Sequence, residues 1–257
     1  MHYEEIARLL EEDDADFIYS ALKIENHNKH STSRLRFWFN HLKENHQKID
    51  GDIFEFGVFK GASLISIAIL AKRLGSSKMI YGFDSFSGFP SYSDKDNLNR
   101  FKDMNLSSSI EKRIKVLHKI RSSLVDLDPS NISDAGDFSD TSLKGLQKKI
   151  EDLGLDNIRI IEGDFAKTVP NFFKHYDGCL FSANIDCDLY DGYKIVLPHI
   201  EGLLSKNGYV HLDEYYSLKF PGAKIATDEF LESSTLILKS QPSVPSHEFE
   251  RWYLTKE

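Results

Sequence analysis

The stretch Gly51-Asp-Ile-Phe-Glu-Phe-Gly-Val-Phe-Lys-Gly-Ala-Ser63 decides how this chain folds. The apolar run from Ile53 to Phe56 is typical of a buried strand, and Gly57 and Gly61 bracket the loop that follows it. A helix is predicted from Leu64 to Leu74. Many nucleoside-binding sheets begin with a strand that ends on a carboxylate and runs into such a turn, although close packing alone can also require this glycine spacing.

Composition excludes several classes of protein. The chain has 257 residues, of which 40% are hydrophobic and 28% charged, as expected for a globular α/β protein. Its formal charge of −8, with no local basic patch, predicts no nucleic-acid partner. No apolar run approaches the roughly 20 residues that span a bilayer, so no membrane partner is expected. A polar, acidic N-terminus and two isolated cysteines, Cys179 and Cys187, predict a reducing, cytoplasmic setting.

The remaining chain alternates strands with helices. Helical spacing of apolar residues is found over residues 3–25 and again from a cap at Ser31-Thr-Ser33 to about Asn45. These helices form a predicted N-terminal extension, residues 1–48, that covers the sheet or a neighbouring subunit. Residues 49–257 form the predicted main domain, whose further strands lie at 78–83, 157–161, 179–185, 209–212, 235–239 and 249–255. The intervening helices are predicted from the Asp140-Thr-Ser142 cap to Leu153, after Thr168-Val-Pro170, from Asp191 to Leu204, and from 221 to 231.

Residues 91–137 form an insertion after the second strand. They are rich in Ser, Asp, Asn and Lys, and apolar residues recur only intermittently. A short helix is predicted over Ser107 to Leu117, whereas Asp128-Pro129 and Asp134-Ala-Gly136 have turn chemistry. Because long polar insertions at a ligand-binding edge are often functional, we expect this segment to act as a lid over the site.

Acidic or glycine-containing loops follow five successive strands. In a doubly wound sheet all five loops lie at one edge. Carboxylates that crowd together repel one another unless protons or a cation neutralise them, and hard oxygen ligands suit a magnesium-like ion. Helix capping and a shared hydrogen-bond network remain alternatives. The residues concerned are Glu55, Asp84, Gly163-Asp164, Asp186 with Asp188, and Asp213-Glu214.

These pieces together resemble the macrocin O-methyltransferase (TylF-type) family, whose members use S-adenosylmethionine to methylate sugar hydroxyls. The resemblance extends over roughly residues 30 to 232. It implies a Rossmann-like class I methyltransferase fold: a seven-stranded, mostly parallel sheet of order 3-2-1-4-5-7-6 with helices on both faces. The matching segments, in order, are Glu55 to Ser63, Gly82 to Pro90, Glu162 to Phe165 with Thr168 to Pro170, Ile185 to Tyr190, and Gly208 to Tyr215.

The resemblance also implies roles for individual residues. The residues expected beside the methionine portion of S-adenosylmethionine are Glu55, Gly57 and Gly61. Two further residues, Ser63 and Asp186, are also expected to bind the cofactor. Asp84 is expected to hold the ribose and Ser85 and Phe86 to border the adenine, whose other side is closed by Gly163, Asp164 and Phe165. A divalent cation such as Mg²⁺ would be held by Asp186, Asp213 and Glu214, with Asp188 as general base.

One departure from the family pattern concerns the cation. Many relatives have Asp-Asp where this chain has Asp213-Glu214, so the geometry of the cation site and the need for it are open. The expected substrate is a small molecule with a free hydroxyl, most simply a sugar, and the aromatic N-terminal helices and the resemblance both favour a homodimer.

Two other classes of function compete with methyl transfer. A nicotinamide-dependent oxidoreductase is disfavoured because the turn from Gly57 to Gly61 lacks the Gly-x-Gly-x-x-Gly spacing that admits a pyrophosphate. A non-catalytic binding protein that keeps the fold is the other alternative, and failure to bind the cofactor would favour it.

Overall fold

The computed structural model describes residues 4–5, 8, 21–24, 35–104, 106, 111–112, 115–116, 119–120, 123, 136–215, 217, 219–241 and 251–257. Most of the helix predicted over residues 3–25, the predicted cap at residues 31–33 and most of the helix predicted over residues 107–117 lie outside these ranges.

A single seven-stranded sheet forms the centre of the fold, in the order β3-β2-β1-β4-β5-β7-β6. Strands β1 to β5 pair in parallel, whereas β7 runs antiparallel to both β5 and β6. This confirms the strand order and the mostly parallel character implied by the resemblance. The strands are β1 (Asp52–Phe56), β2 (Ile80–Asp84), β3 (Ile158–Glu162), β4 (Leu180–Ile185), β5 (Leu204–Leu212), β6 (Ile237–Gln241) and β7 (Arg251–Thr255).

Helices cover both faces of the sheet, and the apolar side chains fall into two large buried clusters. The first three helices pack in one cluster and the last three in the other. In chain order the helices are α1 (Arg36–Asn45), α2 (Ala62–Arg73), α3 (Leu143–Asp152), α4 (Phe165–His175), α5 (Tyr190–Leu203) and α6 (Pro221–Leu231). No helix in the described part of the chain is long and apolar enough to cross a membrane.

Strand β1 lies in the middle of the sheet, paired with β2 on one side and β4 on the other. Its side chains alternate between the faces, so Ile53 joins the first cluster while Phe54 and Phe56 join the second. Helix α1 packs on the sheet of its own chain. The Trp38 indole N–H donates to the Ser182 hydroxyl of β4 at 2.9 Å. The N-terminal extension therefore covers the sheet at this point, one of its two predicted positions.

Two element boundaries differ from those predicted. The fifth strand was predicted over residues 209–212, yet β5 already begins at Leu204 and contains Lys206 to Gly208 as an irregular section with Asn207 at φ 60°. Helix α4 begins at Phe165, so Pro170 lies inside it rather than near its start. At the start of β5, pairing of Leu204 with Leu180 of β4 outweighs the local turn signal.

The first part of the 91–137 insertion is anchored to the core. Residues 94–96 and 98–103 form two short 3₁₀ helices. Asp96 is buried at 2% exposure and accepts the backbone N–H of Tyr190 at 2.8 Å, which caps α5 from outside that helix. The predicted role of the insertion as a lid remains a prediction.

Candidate active site

A cleft of about 1400 Å³ opens at the carboxyl edge of the parallel strands. Such an edge is where open α/β sheets bind their ligands. Four of the predicted site residues, Glu55, Gly61, Phe86 and Gly163, do not line the cleft. The predicted residues that do line it are Gly57, Ser63, Asp84, Ser85, Asp164, Phe165, Asp186, Asp188, Asp213 and Glu214.

Gly57 brings the loops after β1 and β4 into close contact. Its N–H donates to the Phe83 carbonyl at 2.9 Å, and the Asp186 N–H donates to the Phe56 carbonyl at 2.9 Å. Gly57 has φ 94°, and a Cβ atom there would lie 1.8 Å from the Asp186 carbonyl oxygen. Only glycine fits this position, so the turn is shaped to place Asp186 at the edge of the cleft.

Glu55 and Gly61 support the cleft from behind. Glu55 is fully buried, and its Oε1 accepts the side-chain N–H of Asn184, the residue opposite it on β4, at 2.8 Å. Gly61 precedes α2 with φ 79°, and a Cβ atom there would meet Leu146 of α3 at 2.4 Å. Both residues therefore shape the first loop from outside the cleft lining.

The loop after β3 continues the wall of the cleft. The Gly163 N–H donates to the Asp84 carbonyl at 2.9 Å, which ties the ends of β3 and β2 together. Asp164 accepts the Ala166 N–H at 2.9 Å and so caps α4, one of the alternatives considered for acids at strand ends. Phe86 packs against the first apolar cluster and has φ 52°. Asp164 and Phe165 remain exposed to the cleft.

Three carboxylates from the ends of β4 and β5 converge in the cleft. Ligand oxygens of Asp186, Asp188 and Glu214 all lie within 4.8 Å of one another. Glu214 is 4% exposed, and the Tyr193 hydroxyl lies 2.9 Å from its Oε2. Burial, together with the negative charges of Asp213, Asp188 and Asp186, raises the pKa of Glu214 well above its usual value. A site of this kind favours a bound proton or a bound cation.

The backbone at Asp188 is strained. Its φ of 59° lies in the left-handed region, and the Leu189 N–H donates to the Cys187 carbonyl at 2.6 Å across it. A three-residue turn with this handedness is rare and unfavourable, and strain of this kind is concentrated at functional sites. The turn projects Asp188 beside Asp186 instead of continuing directly into α5.

Asp213 has different neighbours from the three converging carboxylates. Its Oδ1 lies 3.5 Å from Nε2 of the fully buried His211 and 4.0 Å from a guanidinium nitrogen of Arg251. Among the described residues, the group within mutual 4.8 Å contains Asp188 in place of Asp213. Asp213 nevertheless lines the same cleft and adds its charge to that of Glu214.

Sequence reasoning missed a cation at this edge. Arg251 is the first residue of β7, and because β7 runs antiparallel, its start lies beside the end of β5. A search confined to the carboxyl ends of parallel strands cannot find it. The strand order implied by the resemblance, which places the last strand beside the fifth, is the signal that could have done so. Aromatic side chains at Phe59, Phe89, Phe138 and Phe220 were missed as well, and they also line the cleft.

Comparison with known proteins finds similarity to O-methyltransferases. Residues 32–119 match the model of the family described as macrocin-O-methyltransferase (TylF). A curated relative, mycinamicin III 3''-O-methyltransferase from Micromonospora griseorubida, is 28% identical over 186 residues, or 71% of this chain. The aligned part spans 61% of the length of that relative.

Solved structures show the same fold. The calicheamicin methyltransferase CalS11 has a TM-score of 0.66 at 22% identity, covering 98% of this chain and 90% of that one. The O-methyltransferase NovP has a TM-score of 0.57 at 19% identity, with coverage of 85% and 76%. With the observed strand order, these likenesses show a Rossmann-like class I methyltransferase fold. Over residues 32–119 the chain matches the macrocin-O-methyltransferase (TylF) family model, and over 71% of its length it is similar to one curated O-methyltransferase.

Proposed function

We propose that this protein is an S-adenosylmethionine-dependent O-methyltransferase that acts on a hydroxyl of a sugar or a glycosylated small molecule. One observation carries the proposal: the strained Asp188 turn brings its carboxylate together with Asp186 and Glu214 in a cleft that also contains the Gly57 turn and Asp84. The names of the curated relative and of CalS11 support methyl transfer as the reaction.

The cofactor would lie along the ends of β1, β2 and β3. Asp84 faces the cleft from β2, and Asp164 and Phe165 face it from the loop after β3. The Gly57 turn would receive the amino-acid end, because it lines the cleft at the end of β1, beside Asp186. A carboxylate-rich cleft favours a cationic sulfonium over its neutral thioether product, so these acids would assist product release.

The residues present fit a divalent cation. Carboxylate oxygens are the ligands that magnesium prefers, and the crowding of acids around the buried Glu214 calls for a positive charge. Asp186, Asp213 and Glu214 would hold the ion. When bound, the ion would lower the pKa of a coordinated acceptor hydroxyl and so make it a better nucleophile.

The chain's own residues would align the reactants and move one proton. Methyl transfer is an in-line displacement, so the walls of the cleft must fix the acceptor oxygen opposite the methyl group. Asp188 would accept the hydroxyl proton as the oxygen attacks, acting as general base. Its left-handed backbone holds the carboxylate near Asp186 and Glu214 without requiring a conformational change.

One variant, compared with the wild-type protein, tests this function. Calorimetry should detect S-adenosylmethionine binding to the wild-type protein, and Asp188→Asn should retain it. Released S-adenosylhomocysteine, measured with a panel of sugar nucleotides, glycosylated natural products and catechols, should fall by about 10²- to 10⁴-fold in the variant. Absence of cofactor binding would reject the proposal, and full turnover by Asp188→Asn would reject its assignment as base.

A further inference from the structure

The hydroxyl of Tyr193, on α5, contacts one of the three converging carboxylates from within the core. Tyr193 is fully buried, and its hydroxyl oxygen lies 2.9 Å from Oε2 of Glu214 and 2.9 Å from the carbonyl oxygen of Ile185. The backbone N–H of Glu214 donates to the same hydroxyl oxygen at 3.3 Å. One phenol group therefore joins the end of β4 to both the backbone and the side chain of Glu214, just beyond the end of β5.

The hydrogen of this hydroxyl can be assigned to Glu214. A phenol has one hydrogen to donate, and its oxygen can accept a hydrogen bond as well. The Ile185 carbonyl already accepts the Asp213 N–H at 3.1 Å, so it does not depend on Tyr193. When the hydroxyl donates to Oε2 of Glu214 and accepts the Glu214 N–H, all of these groups have a partner. Tyr193 and Glu214 thus form a reciprocal pair, which fixes the Glu214 side chain relative to its own backbone.

Glu214 needs such a partner because its neighbours repel it. The residue is 4% exposed and lies near the negative charges of Asp186 and Asp188. Repulsion between carboxylates favours rotation of a flexible glutamate side chain away from the two aspartates. A buried neutral donor stabilises the carboxylate without adding charge, and a hydrogen bond to a charged group is roughly twice as strong as one between neutral groups. The Tyr193 hydroxyl can therefore hold Glu214 near the aspartates against this repulsion.

Tyr193 itself is held firmly by α5. Its ring packs in the second apolar cluster, and its backbone N–H donates to the Leu189 carbonyl at 3.3 Å. Gly192 lets this turn of the helix approach the loop after β4, because a Cβ atom there would lie 2.7 Å from Sγ of Cys187. A functional group on a helix or strand is placed more precisely than one on a loop. The hydroxyl therefore gives Glu214, which lies on a loop, a fixed anchor.

We propose that Tyr193 is a positioning residue that holds the Glu214 carboxylate in place for a divalent cation. This inference rests on the proposed function and deepens it, by adding a residue that does not itself touch the ion. Carboxylates that bind metals are themselves hydrogen-bonded, and a carboxylate offers about four acceptor positions, so the bond to Tyr193 leaves room for the ion. The role is the same whether Asp188 or Asp213 completes the set of ligands with Asp186.

The test measures Mn²⁺ binding by electron paramagnetic resonance, with the full chain saturated with S-adenosylhomocysteine. Tyr193→Phe removes the hydroxyl and keeps the buried ring, so the variant should fold. We expect it to weaken Mn²⁺ binding about 10- to 100-fold, which is the usual effect of removing a hydrogen-bond partner of a metal ligand. The affinity for S-adenosylhomocysteine, measured by calorimetry, should not change.

Tyr190→Phe is the matched control, because it removes a tyrosine hydroxyl from the same helix. That hydroxyl donates to Oε2 of Glu229 at 2.6 Å, and Tyr190 does not line the cleft. Urea unfolding should show a modest loss of stability in both variants, since each loses a hydrogen bond. Only Tyr193→Phe should lose affinity for Mn²⁺. A purely structural role of Tyr193 would not produce this difference between the two variants.

A double variant shows whether Tyr193 acts through Glu214. In a Glu214→Gln background, Tyr193→Phe should weaken Mn²⁺ binding by less than about threefold, because the carboxylate that Tyr193 positions is absent. Failure of the wild-type protein to bind S-adenosylhomocysteine counts against the proposed function. With that binding intact, the inference is overturned if the wild-type protein binds no Mn²⁺, if Tyr193→Phe binds it as tightly as the wild type, or if the effects of the two substitutions are independent.

Discussion

The carboxylate of Asp84 accepts the backbone N–H of Phe59 at 2.8 Å, which joins the end of β2 to the loop after β1. The same oxygen accepts the Val58 N–H at 2.8 Å, and the other oxygen accepts the Phe86 N–H at 2.7 Å. Three backbone donors around the cleft therefore depend on one side chain. A carboxylate offers about four acceptor positions, so one remains for a ligand hydroxyl.

Replacing Asp84 should therefore affect folding as well as binding. We expect Asp84→Ala to lower the free energy of unfolding by about 2–4 kcal/mol, because three donors lose a charged acceptor. S-adenosylmethionine binding should weaken in the same variant. Urea unfolding and calorimetry measure the two effects, and unchanged stability would show that the loop is held by other contacts.

A separate comparison isolates the predicted ribose contact. The wild-type protein should bind S-adenosylhomocysteine about tenfold more tightly than its 2'-deoxy or 3'-deoxy analogue, if a charged hydrogen bond is lost. In Asp84→Asn this difference should shrink, since the weaker acceptor gains less from the hydroxyl. A difference of the same size in both proteins would assign the ribose to another residue.

The close approach at Gly57 predicts that an added side chain there would destabilise the fold. Gly57→Ala adds both left-handed strain and a clash with the Asp186 carbonyl, whereas Gly75→Ala, at φ 65° with no atom within 4 Å, adds only strain. Gly75→Ala should cost about 1–2 kcal/mol of unfolding free energy. Gly57→Ala should exceed that loss by more than about 2 kcal/mol, as measured by urea unfolding. Equal losses of unfolding free energy in the two variants would mean that the Asp186 loop can move away from the added methyl group at no cost.

Short-range patterns were sufficient to predict the individual strands, whereas the resemblance implied their order in the sheet. Ile53 to Phe56 alternates between two buried clusters, as its position in the central strand requires. The acids that end β4 and β5 meet because parallel strands finish at one edge, and Asp186 and Glu214 do lie together. Strand ends were less certain, since β5 begins at Leu204 through pairing with β4 that no local pattern encodes.

Contacts between distant segments explain what could not be predicted. Phe59 and Phe138 are far apart in sequence, and only the folding of the chain brings their ring centroids to a distance of 5.4 Å. Arg251 reaches the cleft through the reversed direction of β7. Residues such as Glu55, which the resemblance associates with the cofactor, instead lie buried behind the loop. Family patterns mark positions that are expected to be functional, but they do not say which side chains face the cleft.

His41 of α1 makes stability depend on pH. Its ring lies 4.7 Å from the Phe181 ring and 5.3 Å from the Tyr209 ring. Burial and, to a smaller extent, the charge of Lys78 lower the pKa of His41 from 6.5 to about 4. The unfolded chain therefore binds a proton near pH 6.5, before the folded protein does. This contribution to stability is complete above pH 6.5 and is lost as the pH falls toward 4, by up to about 3 kcal/mol.

A histidine-specific comparison checks that dependence. Urea unfolding of the wild-type protein and of His41→Gln should be followed from pH 7.5 to pH 4.5. The difference in unfolding free energy between them should narrow as the pH falls, because only the wild type gains a proton at this position on unfolding. His175→Gln, at an exposed position on α4, serves as the control. Parallel curves for the wild type and His41→Gln would assign the pH dependence to other groups.

The cation site provides the last prediction, because the sequence and the geometry emphasise different carboxylates. The family pattern assigns Asp213 as a ligand and Asp188 as base, yet Asp188 lies in the group within 4.8 Å and Asp213 faces His211 and Arg251. We expect Mn²⁺ binding to the protein loaded with S-adenosylhomocysteine, measured by electron paramagnetic resonance, to weaken at least about tenfold in Asp213→Asn and Glu214→Gln.

Asp188→Asn distinguishes the two arrangements. If Asp188 is the base, this variant binds Mn²⁺ within a few-fold of the wild type but loses turnover. The surface control Asp152→Asn, on α3, should keep its turnover. If instead Asp188→Asn loses Mn²⁺ while Asp213→Asn retains it, the ion is held by Asp186, Asp188 and Glu214. The proton must then go to another group, because a carboxylate that ligates the ion is a much weaker base.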